Sequence, residues 1–241
     1  MRISDALLRI GIDLRKRLFR EVLASFGGNL EYIICGGAPL DARYVKEFRS
    51  FGIEILNGYG TTECSPVAAV NRNHYHKDGT VGLPLPDSEV RIAEDGEVLI
   101  RGDHVMLGYY HDEESTKAVL RDGWYATGDL GGLDEDGFLT LYGRKKNLIV
   151  LSNGENVSPE ELEERLYRID GIEEVLVSGE DGVIAAEIYA SPQTEEVKKE
   201  IDIAVSSLNR TLPAYKRIVR LRFRDTPFEK TTTRKIKRPE D

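Results

Sequence analysis

The fold of this chain is decided by a stretch in its second half, residues 143–163, which reads GRKKNLIVLSNGENVSPEELE. Ser158 stands where a helix N-cap is expected, Pro159 follows at the first helical position, and a glutamate lies three residues after the cap. Apolar residues then recur on one helical face, at Leu162, Leu166 and Ile169. The stretch therefore predicts a helix that begins at Pro159, after a cluster of basic residues.

Downstream of this helix, the pattern of apolar residues predicts a small domain. Two apolar runs, 175–177 and 183–189, are joined by the turn GEDG at 179–182 and predict a β-hairpin. An amphipathic helix follows, with apolar residues at Val197, Ile201, Val205 and Leu208. The last strand alternates arginines with a predicted buried face of Val219, Leu221 and Phe223. The order α, β, β, α, β predicts a compact α+β domain over residues 144–241.

Upstream of the stretch, the chain begins with a predicted αβ unit that extends to about residue 78. One long surface helix is predicted from the helical spacing of Leu7, Leu14, Leu18 and Val22. Two short apolar runs, 32–35 and 54–56, then flank a helical stretch, 41–51. This order predicts a right-handed crossover between parallel strands.

In residues 79–143 the sequence changes to short segments in which apolar and polar residues alternate, and this pattern predicts a small antiparallel β region. Residues 89–92 and 97–101 are short alternating segments joined by Asp95-Gly96, a pair typical of a tight hairpin turn. The predicted fold class is therefore α/β plus α+β. A parallel αβ unit and an antiparallel region together occupy 1–143, ahead of the separate α+β domain.

The composition excludes several classes of protein. The 241 residues (27.1 kDa) are 40% apolar and 31% charged, which is typical of a globular chain. A net charge of −9 argues against nucleic acid as the main partner, because phosphate-backbone binding normally needs a basic surface. Cys35 and Cys64 show no metal-ligand spacing, which indicates a reduced protein without structural zinc. We see no secretory signal and no apolar run long enough to span a membrane, so we expect a cytoplasmic protein.

Charge is distributed unevenly within the second domain. Residues 155–187 carry 11 acidic residues and two arginines, whereas residues 210–238 carry 11 basic residues against Asp225 and Glu229. The plain interpretation is two solvated faces of opposite sign. The basic segment also suits a polyanionic small molecule.

Two glycine-rich loops each follow a predicted strand, and ligands of open α/β sheets bind at such carboxyl ends. The first loop is Gly36-Gly37-Ala38 and the second is NGYGTTE at 57–63. The second loop adds Tyr59, which can stack on a base, threonine hydroxyls for a phosphate, and Glu63, whose carboxylate suits Mg²⁺. Further along, Asp129 in a Thr-Gly-Asp turn can accept two hydrogen bonds from a ribose diol.

Four segments in this order point to a known family. They are GYGTTE at 58–63, YATGD at 125–129, GRKKNLIVLSNGENVSPEELE at 143–163 and FEKTTTRKIKR at 228–238. With them the chain resembles the C-terminal part of an adenylate-forming acyl-CoA synthetase, most closely the long-chain fatty acid branch. The resemblance covers nearly the whole chain. It implies ATP or AMP, Mg²⁺ and CoA as ligands and a carboxylic acid, favoured to be a fatty acid, as substrate.

The resemblance also implies roles for individual residues of the first 144. It places the nucleotide and acyl group against the glycine loops, at Gly36, Gly37, Ala38, Tyr59 and Gly60. Tyr59 would lie against the adenine, Thr62 would contact the α-phosphate, and Glu63 would hold Mg²⁺. Asp129 would bind the ribose hydroxyls with the assistance of Arg144.

In the second domain, the resemblance implies a moving part. Lys146 would be the hinge, within residues 144–147, about which the domain rotates between two half-reactions. Lys235 would be the catalytic lysine that neutralises carboxylate and phosphate oxygens as the acyl-adenylate forms. Gly154 would line the pantetheine tunnel and meet the thiol during thioester formation. One rotating domain can thus serve both steps.

Two departures from the family pattern are visible. Arg234 stands where the family usually has a glycine before its lysine. No segment within residues 1–57 has the Ser/Thr/Gly-rich, lysine-containing composition of the family's phosphate loop. We therefore expect the chain to need the missing N-terminal half of the enzyme as a partner and to be inactive alone.

Two alternative functions remain open from the sequence. An amino-acid adenylation module of a peptide synthetase would share these motifs. A noncatalytic module that binds a nucleotide or adenylate would also retain the nucleoside face.

Overall fold

The computed structural model describes residues 12–232 and 234–238. They form two compact units that divide between Leu141 and Tyr142, and each unit contains its own cluster of buried apolar side chains. Both units combine helices with β-sheets. The mixed α/β and α+β character predicted from the sequence is thereby confirmed.

The opening segment forms two short helices, α1 (Arg15–Leu18) and α2 (Arg20–Ser25), so the prediction of one long helix is wrong here. The helices are separated at Phe19, whose φ of −108° and ψ of 27° depart from helical values. The ring of Phe19 packs edge-on against Phe51, with ring centroids 5.1 Å apart. This tertiary contact at the break outweighs the local helical pattern. Leu7 lies outside the described residues.

The next part of the first unit is the predicted αβ unit. Its elements are β1 (Tyr32–Cys35), α3 (Ala42–Phe51), β2 (Glu54–Tyr59), β3 (Ala69–Val70) and β4 (Leu83–Pro84). The strands lie in the order β1-β2-β3-β4, and β1 pairs in parallel with β2, as predicted. Asp41 accepts a hydrogen bond from the amide of Arg43 at the start of α3, and Gly52 ends the helix in a left-handed conformation.

The rest of the first unit is an antiparallel sheet, as predicted. Its elements are β5 (Ser88–Ile92), β6 (Glu97–Gly102), α4 (Glu113–Val119), β7 (Leu120–Arg121), β8 (Trp124–Leu133) and the start of β9 (Leu139–Arg144), a strand that runs past the division at Leu141. The strands follow the order β5-β6-β8-β7, and β9 also pairs with β8. Gly96 has a φ of +86° in the turn between β5 and β6, which explains the glycine there.

The second unit contains the predicted order α, β, β, α, β, preceded by a short antiparallel pair of strands that was not predicted. Its elements are β10 (Ile149–Val150), β11 (Asn156–Val157), α5 (Pro159–Leu166), β12 (Ile172–Glu180), β13 (Val183–Ala190), α6 (Glu195–Thr211) and β14 (Ile218–Arg224). β13 lies between antiparallel β12 and parallel β14, and α6 connects β13 to β14. Leu162, Ile201 and Ile188 are fully buried in the core between helices and sheet. No helix in the described ranges is both long and apolar enough to cross a membrane.

Helix α5 begins at Pro159 as predicted, but its cap differs from the predicted one. The hydroxyl of Ser158 makes no capping hydrogen bond to the helix and donates to the carbonyl of Tyr142 at 2.6 Å. Glu161, three residues after the cap, instead pairs with Lys216 Nζ at 2.5 Å. Long-range partners thus take both side chains of the predicted capping box.

The alternation in β14 is interrupted, so one predicted core residue is on the surface. Ile218 pairs with Ile184, but the next pair along the strand is Arg220 with Ala185. The extra residue, Val219, is 64% exposed, whereas Ile218 is buried. A β-bulge adds one residue to one strand and so shifts the side-chain alternation. Leu221 and the alternate residue Phe223 pack against the core as predicted.

The acidic and basic segments of this unit are not two separate solvated faces. Basic residues of 210–238 pair with acidic residues of 155–187 across the unit: Lys216 with Glu161, Arg220 with Glu180 and Asp181, Arg222 with Glu180, Arg224 with Glu187, Lys230 with Glu174, and Arg238 with Glu160 and Glu163. The fold brings β14 and the tail alongside β12, β13 and α5. Much of the basic segment is therefore neutralised by the protein itself, which corrects the prediction.

Candidate functional site

The two glycine-rich loops lie side by side at the carboxyl ends of β1 and β2. Cys35 of β1 pairs with Asn57 of β2 at the end of the parallel ladder. The next residue is Gly36 after Cys35 and Gly58 after Asn57. A Cβ atom on Gly36 would stand 3.0 Å from the carbonyl oxygen of Gly58, so the backbones approach more closely than most side chains allow. Gly36, Gly37 and Ala38 are exposed to solvent in this structure.

Tyr59 and Asp129, which are 70 residues apart in sequence, meet in a buried hydrogen bond. The phenolic hydroxyl of Tyr59 donates to Asp129 Oδ2 at 2.5 Å. Asp129 is 6% exposed and Tyr59 is 9% exposed. Tyr59 therefore holds the carboxylate that we expect to bind the ribose, a relation that the sequence did not reveal. Its stacking against adenine stays a prediction.

Asp129 lies within β8, at a tight turn of the strand backbone that is fixed by hydrogen bonds of the two preceding residues. Gly128 has a φ of +70°, and its amide donates to Glu97 Oε1 at 2.8 Å. The hydroxyl of Thr127 donates to the carbonyl of Val98 at 2.8 Å and lies 3.0 Å from the amide of Asp129, which donates to it. The carboxylate is therefore presented from a rigid turn rather than from a loose loop.

Gly60 is required by the path of the backbone after β2. A Cβ atom at this position would lie 1.8 Å from the carbonyl oxygen of Pro66, which no side chain can tolerate. The chain then enters a single 3₁₀ turn, Thr62–Cys64. In this turn Thr62 is exposed, Glu63 is half-buried and Cys64 is fully buried. Burial raises the pKa of the Cys64 thiol, which opposes formation of a nucleophilic thiolate.

Glu63 is held by two residues of the segment that follows β6. Its carboxylate accepts a hydrogen bond from the hydroxyl of Tyr109 at 2.8 Å, and its carbonyl accepts one from the amide of Met106 at 2.7 Å. Burial acts to raise the pKa of Glu63, but hydrogen bonds from its own amide and from Tyr109 outweigh burial and lower it. An ionised carboxylate at this position fits Mg²⁺, which binds one or two protein carboxylates together with substrate phosphates.

Four of the predicted site residues lie on the second unit: Arg144, Lys146, Gly154 and Lys235. Lys146 is exposed within the 3₁₀ turn Lys145–Asn147, directly after β9. Gly154 has a φ of +82° in the turn between β10 and β11, and a Cβ atom there would meet open space. Its amide donates to the carbonyl of Leu151 at 2.9 Å. The roles of these residues stay predictions.

Lys235 lies in a tight turn near the end of the chain. The amide of Lys237 donates to the carbonyl of Glu229, and the amide of Thr231 donates to the carbonyl of Lys235. We refer to residues 229–232 and 234–237 as the Lys235 turn. Arg234 has a φ of +62°, a left-handed conformation that favours glycine, which is the residue that the sequence resemblance leads us to expect at this position. Lys235 itself is exposed.

Sequence reasoning missed the residues that support the site. Tyr109 holds Glu63, Glu97 fixes the Asp129 turn, and Glu163, Glu174 and Arg238 hold the Lys235 turn. None of them belongs to a glycine loop or stands out by periodicity. The excess of carboxylates over basic residues in 155–187, which we interpreted as a solvated face, could have indicated that some of them have distant basic partners.

Comparisons with known proteins match both units. The family model described as AMP-binding enzyme matches residues 6–110, and the one described as AMP-binding enzyme C-terminal domain matches residues 146–240. Long-chain-fatty-acid–CoA ligase FadD15 of Mycobacterium tuberculosis is 42% identical over 184 residues, which are 76% of this chain and 31% of that protein. The 2-succinylbenzoate–CoA ligase of Listeria monocytogenes is 35% identical over 166 residues, 68% of this chain and 35% of that protein.

Solved structures give the same result for the fold. The o-succinylbenzoate CoA synthetase MenE of Bacillus subtilis, in complex with the acyl-adenylate intermediate OSB-AMP, has a TM-score of 0.76 and 27% identity, over 90% of this chain and 48% of that one. The same enzyme in complex with ATP and a magnesium ion has a TM-score of 0.74. The chain thus spans about a third of the curated relatives and half of the solved ones. By its two domain matches and by its fold, it belongs to the AMP-binding enzyme family.

Proposed function

We propose that this chain is the C-terminal part of an ATP-dependent acid–CoA ligase that activates a long-chain fatty acid as its acyl-adenylate and transfers the acyl group to CoA. The observation that carries the proposal is the paired support of two carboxylates. Tyr59 at the end of β2 holds Asp129 of β8, and Tyr109 holds Glu63 in the 3₁₀ turn that follows β2. The relatives named above are CoA ligases, and MenE has been solved with an acyl-adenylate.

In the first half-reaction, a carboxylate oxygen attacks the α-phosphorus of ATP while the bond to pyrophosphate breaks. Asp129 would accept hydrogen bonds from the ribose hydroxyls, and Thr62 would donate to the α-phosphate. Glu63 would hold Mg²⁺, which screens the negative charge of the phosphates. Lys235 would neutralise the charge that develops on the attacking and phosphate oxygens.

In the second half-reaction, the thiol sulfur of CoA attacks the acyl carbonyl carbon and AMP leaves. We expect the turn of Gly154 to replace Lys235 near the reacting atoms, with Lys146 as the hinge. Gly154 has no side chain and faces open space in its own unit, which suits the passage of a narrow pantetheine arm. The separation of the chain into two compact units supports such a rotation.

We expect the chain alone not to complete the reaction. Residues 1–57 contain no segment with the composition of a phosphate-binding loop. The β- and γ-phosphates of ATP would then lack the loop that binds them, and much of the acyl chain would lack its binding pocket. A second polypeptide segment that supplies these parts is needed for turnover.

The test is pyrophosphate exchange into ATP, driven by a panel of carboxylic acids from acetate to palmitate, with 2-succinylbenzoate and ferulate included. The chain is assayed alone and after mixing with the part of FadD15 that precedes the matched region. We expect exchange only in the mixture, with long-chain acids, and a loss of at least about a hundredfold in Lys235→Ala. The control variant, Lys199→Ala, changes an exposed lysine on α6 and should retain exchange.

Each other outcome has a defined meaning. Exchange driven best by aromatic acids would keep the ligase and overturn the fatty acid as substrate. Exchange by the chain alone would overturn the need for a second segment. Saturable binding of a nonhydrolysable acyl-adenylate mimic without any exchange in the mixture would favour a noncatalytic binding module.

A further inference from the structure

The Lys235 turn is fastened at its incoming end by a buried carboxylate. Glu174 lies on β12 and is 4% exposed. Its Oε2 accepts a hydrogen bond from the amide of Phe228 at 2.6 Å, and its Oε1 pairs with Lys230 Nζ. A carboxylate that far from water is kept only with such partners, so the chain is fixed just before the turn.

The outgoing end of the turn is fastened by a second carboxylate, on helix α5. Arg238 Nη2 lies 2.7 Å from Glu163 Oε2, and its Nη1 donates to the carbonyl of Val177 at 3.1 Å. The other oxygen of Glu163 accepts a hydrogen bond from the amide of Val177 at 2.8 Å. Glu163 and Arg238 thereby occupy both main-chain groups of Val177 on the open edge of β12.

The same arginine also reaches toward the segment of the predicted hinge. Arg238 Nη2 lies 3.5 Å from Glu160 Oε1, which accepts a hydrogen bond from Asn147 Nδ2 at 2.5 Å. Asn147 directly follows Lys146. One cluster on α5 therefore contacts both the end of the Lys235 turn and the segment beside the hinge.

The carboxylates of Glu163 and Glu174 are more buried than those of the other ion pairs between the acidic and basic segments, such as Glu161 at 33% and Glu180 at 29% exposure. The side chains of Glu163 and Glu174 are 14% and 6% exposed, whereas Asp181, which pairs with Arg220, is 81% exposed. Exposed ion pairs fix little, because each side chain keeps alternative positions in water. Buried and hydrogen-bonded ones have one geometry.

We propose that Glu163, Glu174 and Arg238 are positioning residues for Lys235. They fix both ends of the turn to α5 and β12, so that the exposed lysine moves with the second unit as a rigid body. The role in adenylation rests on the proposed function, but the fastening of the turn does not. A lysine held this way loses little conformational freedom when it meets the reacting oxygens.

The fastening is tested by hydrogen exchange on the full chain. Arg238→Ala should speed exchange of the amides of Thr231, Arg234 and Lys237 by about tenfold or more, because their hydrogen bonds would open locally. The amide of Ile188, in the centre of β13, should keep its protection and so report that the unit is folded. Arg238→Lys should restore part of the protection. The matched control is Arg220→Ala, which removes an arginine whose partners are the half-buried Glu180 and the exposed Asp181 and should leave the turn unchanged.

The same variants separate positioning from a general structural role in the mixture that performs the reaction. Arg238→Ala should lower kcat of pyrophosphate exchange by about tenfold with little change in KM for ATP. Thioester formation from preformed acyl-adenylate, which does not use Lys235, should be unaffected. Unchanged protection of the turn, or equal losses in both half-reactions, would overturn the proposal. If Arg238→Ala loses amide protection in the turn but no protein, the parent included, catalyses pyrophosphate exchange, the fastening would be upheld and the proposed function would be contradicted.

Discussion

Tyr59 shows how a single hydroxyl can support the site. Its hydrogen bond to the buried carboxylate of Asp129 is charge-assisted, and such a bond contributes about 2 kcal/mol. Tyr59→Phe should therefore lower the free energy of unfolding of the first unit by about 2 kcal/mol. Trp124 is the single tryptophan of the chain and lies in this unit, so its fluorescence during urea unfolding measures the change. Tyr75→Phe, at a half-exposed ring, is the control and should change the midpoint little. A Tyr59→Phe midpoint equal to the parent's would show that the bond contributes nothing.

The same residue marks where prediction from sequence stops. Tyr59, Glu63 and Asp129 could be named because their side chains carry recognisable chemistry in glycine-rich turns. Their supporting partners could not be named, because the hydrogen bond to Asp129 spans 70 residues and that to Glu63 spans 46. Such pairs depend on how β8 and the segment after β6 approach β2, and no local pattern encodes this approach.

At the scale of elements, helices and strands followed their apolar periodicity except where a tertiary contact outweighed it. The parallel crossover, the two hairpins and α5 could all be predicted, since apolar periodicity, turn residues or the proline at the start of α5 mark each of them locally, although the predicted cap of α5 does not form. The break at Phe19 and the bulge at Val219 could not, because the first accompanies packing on Phe51 and the second follows the register of β14 against β13. The crossed pairing of acidic and basic segments was missed for the same reason.

Helix α5 should make the stability of the second unit depend on pH. Burial raises the pKa of Glu163 from 4.5 to about 7, although Arg238 and the amide of Val177 act to lower it and nearby Glu160 acts to raise it. A carboxyl group whose pKa is higher in the folded than in the unfolded protein makes its full contribution to the free energy of unfolding below its pKa in the unfolded chain. This contribution is lost as the pH rises through its pKa in the folded protein. The second unit should lose about 3 kcal/mol between pH 4.5 and 7 from this group.

The measurement is urea unfolding of the full chain, followed by far-UV circular dichroism at several pH values. In Glu163→Gln, which cannot ionise, the decline between pH 4.5 and 7 should be much smaller than in the parent. Carboxyls with lowered pKa, such as Asp78 and Glu180, change the stability below this window and in the opposite sense. Glu164→Gln, at an exposed neighbour on the same helix, should keep the decline of the parent. An equal decline in Glu163→Gln would contradict the assignment.

For the whole molecule, the division between Leu141 and Tyr142 matters most, because the proposed mechanism requires the second unit to turn as one body. That unit has a core of its own, formed by α5, α6 and the sheet β12-β13-β14. A core of this kind normally gives independent, cooperative folding in about 100 residues. We therefore expect residues 142–241, expressed alone, to unfold in one cooperative transition.

The full chain should correspondingly unfold in two steps that different probes separate. Trp124 fluorescence follows the first unit alone, because residues 142–241 contain no tryptophan, whereas far-UV circular dichroism follows both units. The circular dichroism curve should contain a component whose midpoint matches that of residues 142–241 alone. If that piece shows no cooperative transition, or if its midpoint is absent from the curve of the full chain, the two units fold as one block. The second unit would then depend on the first for its stability, and rotation about Lys146 would have to break contacts that hold it folded.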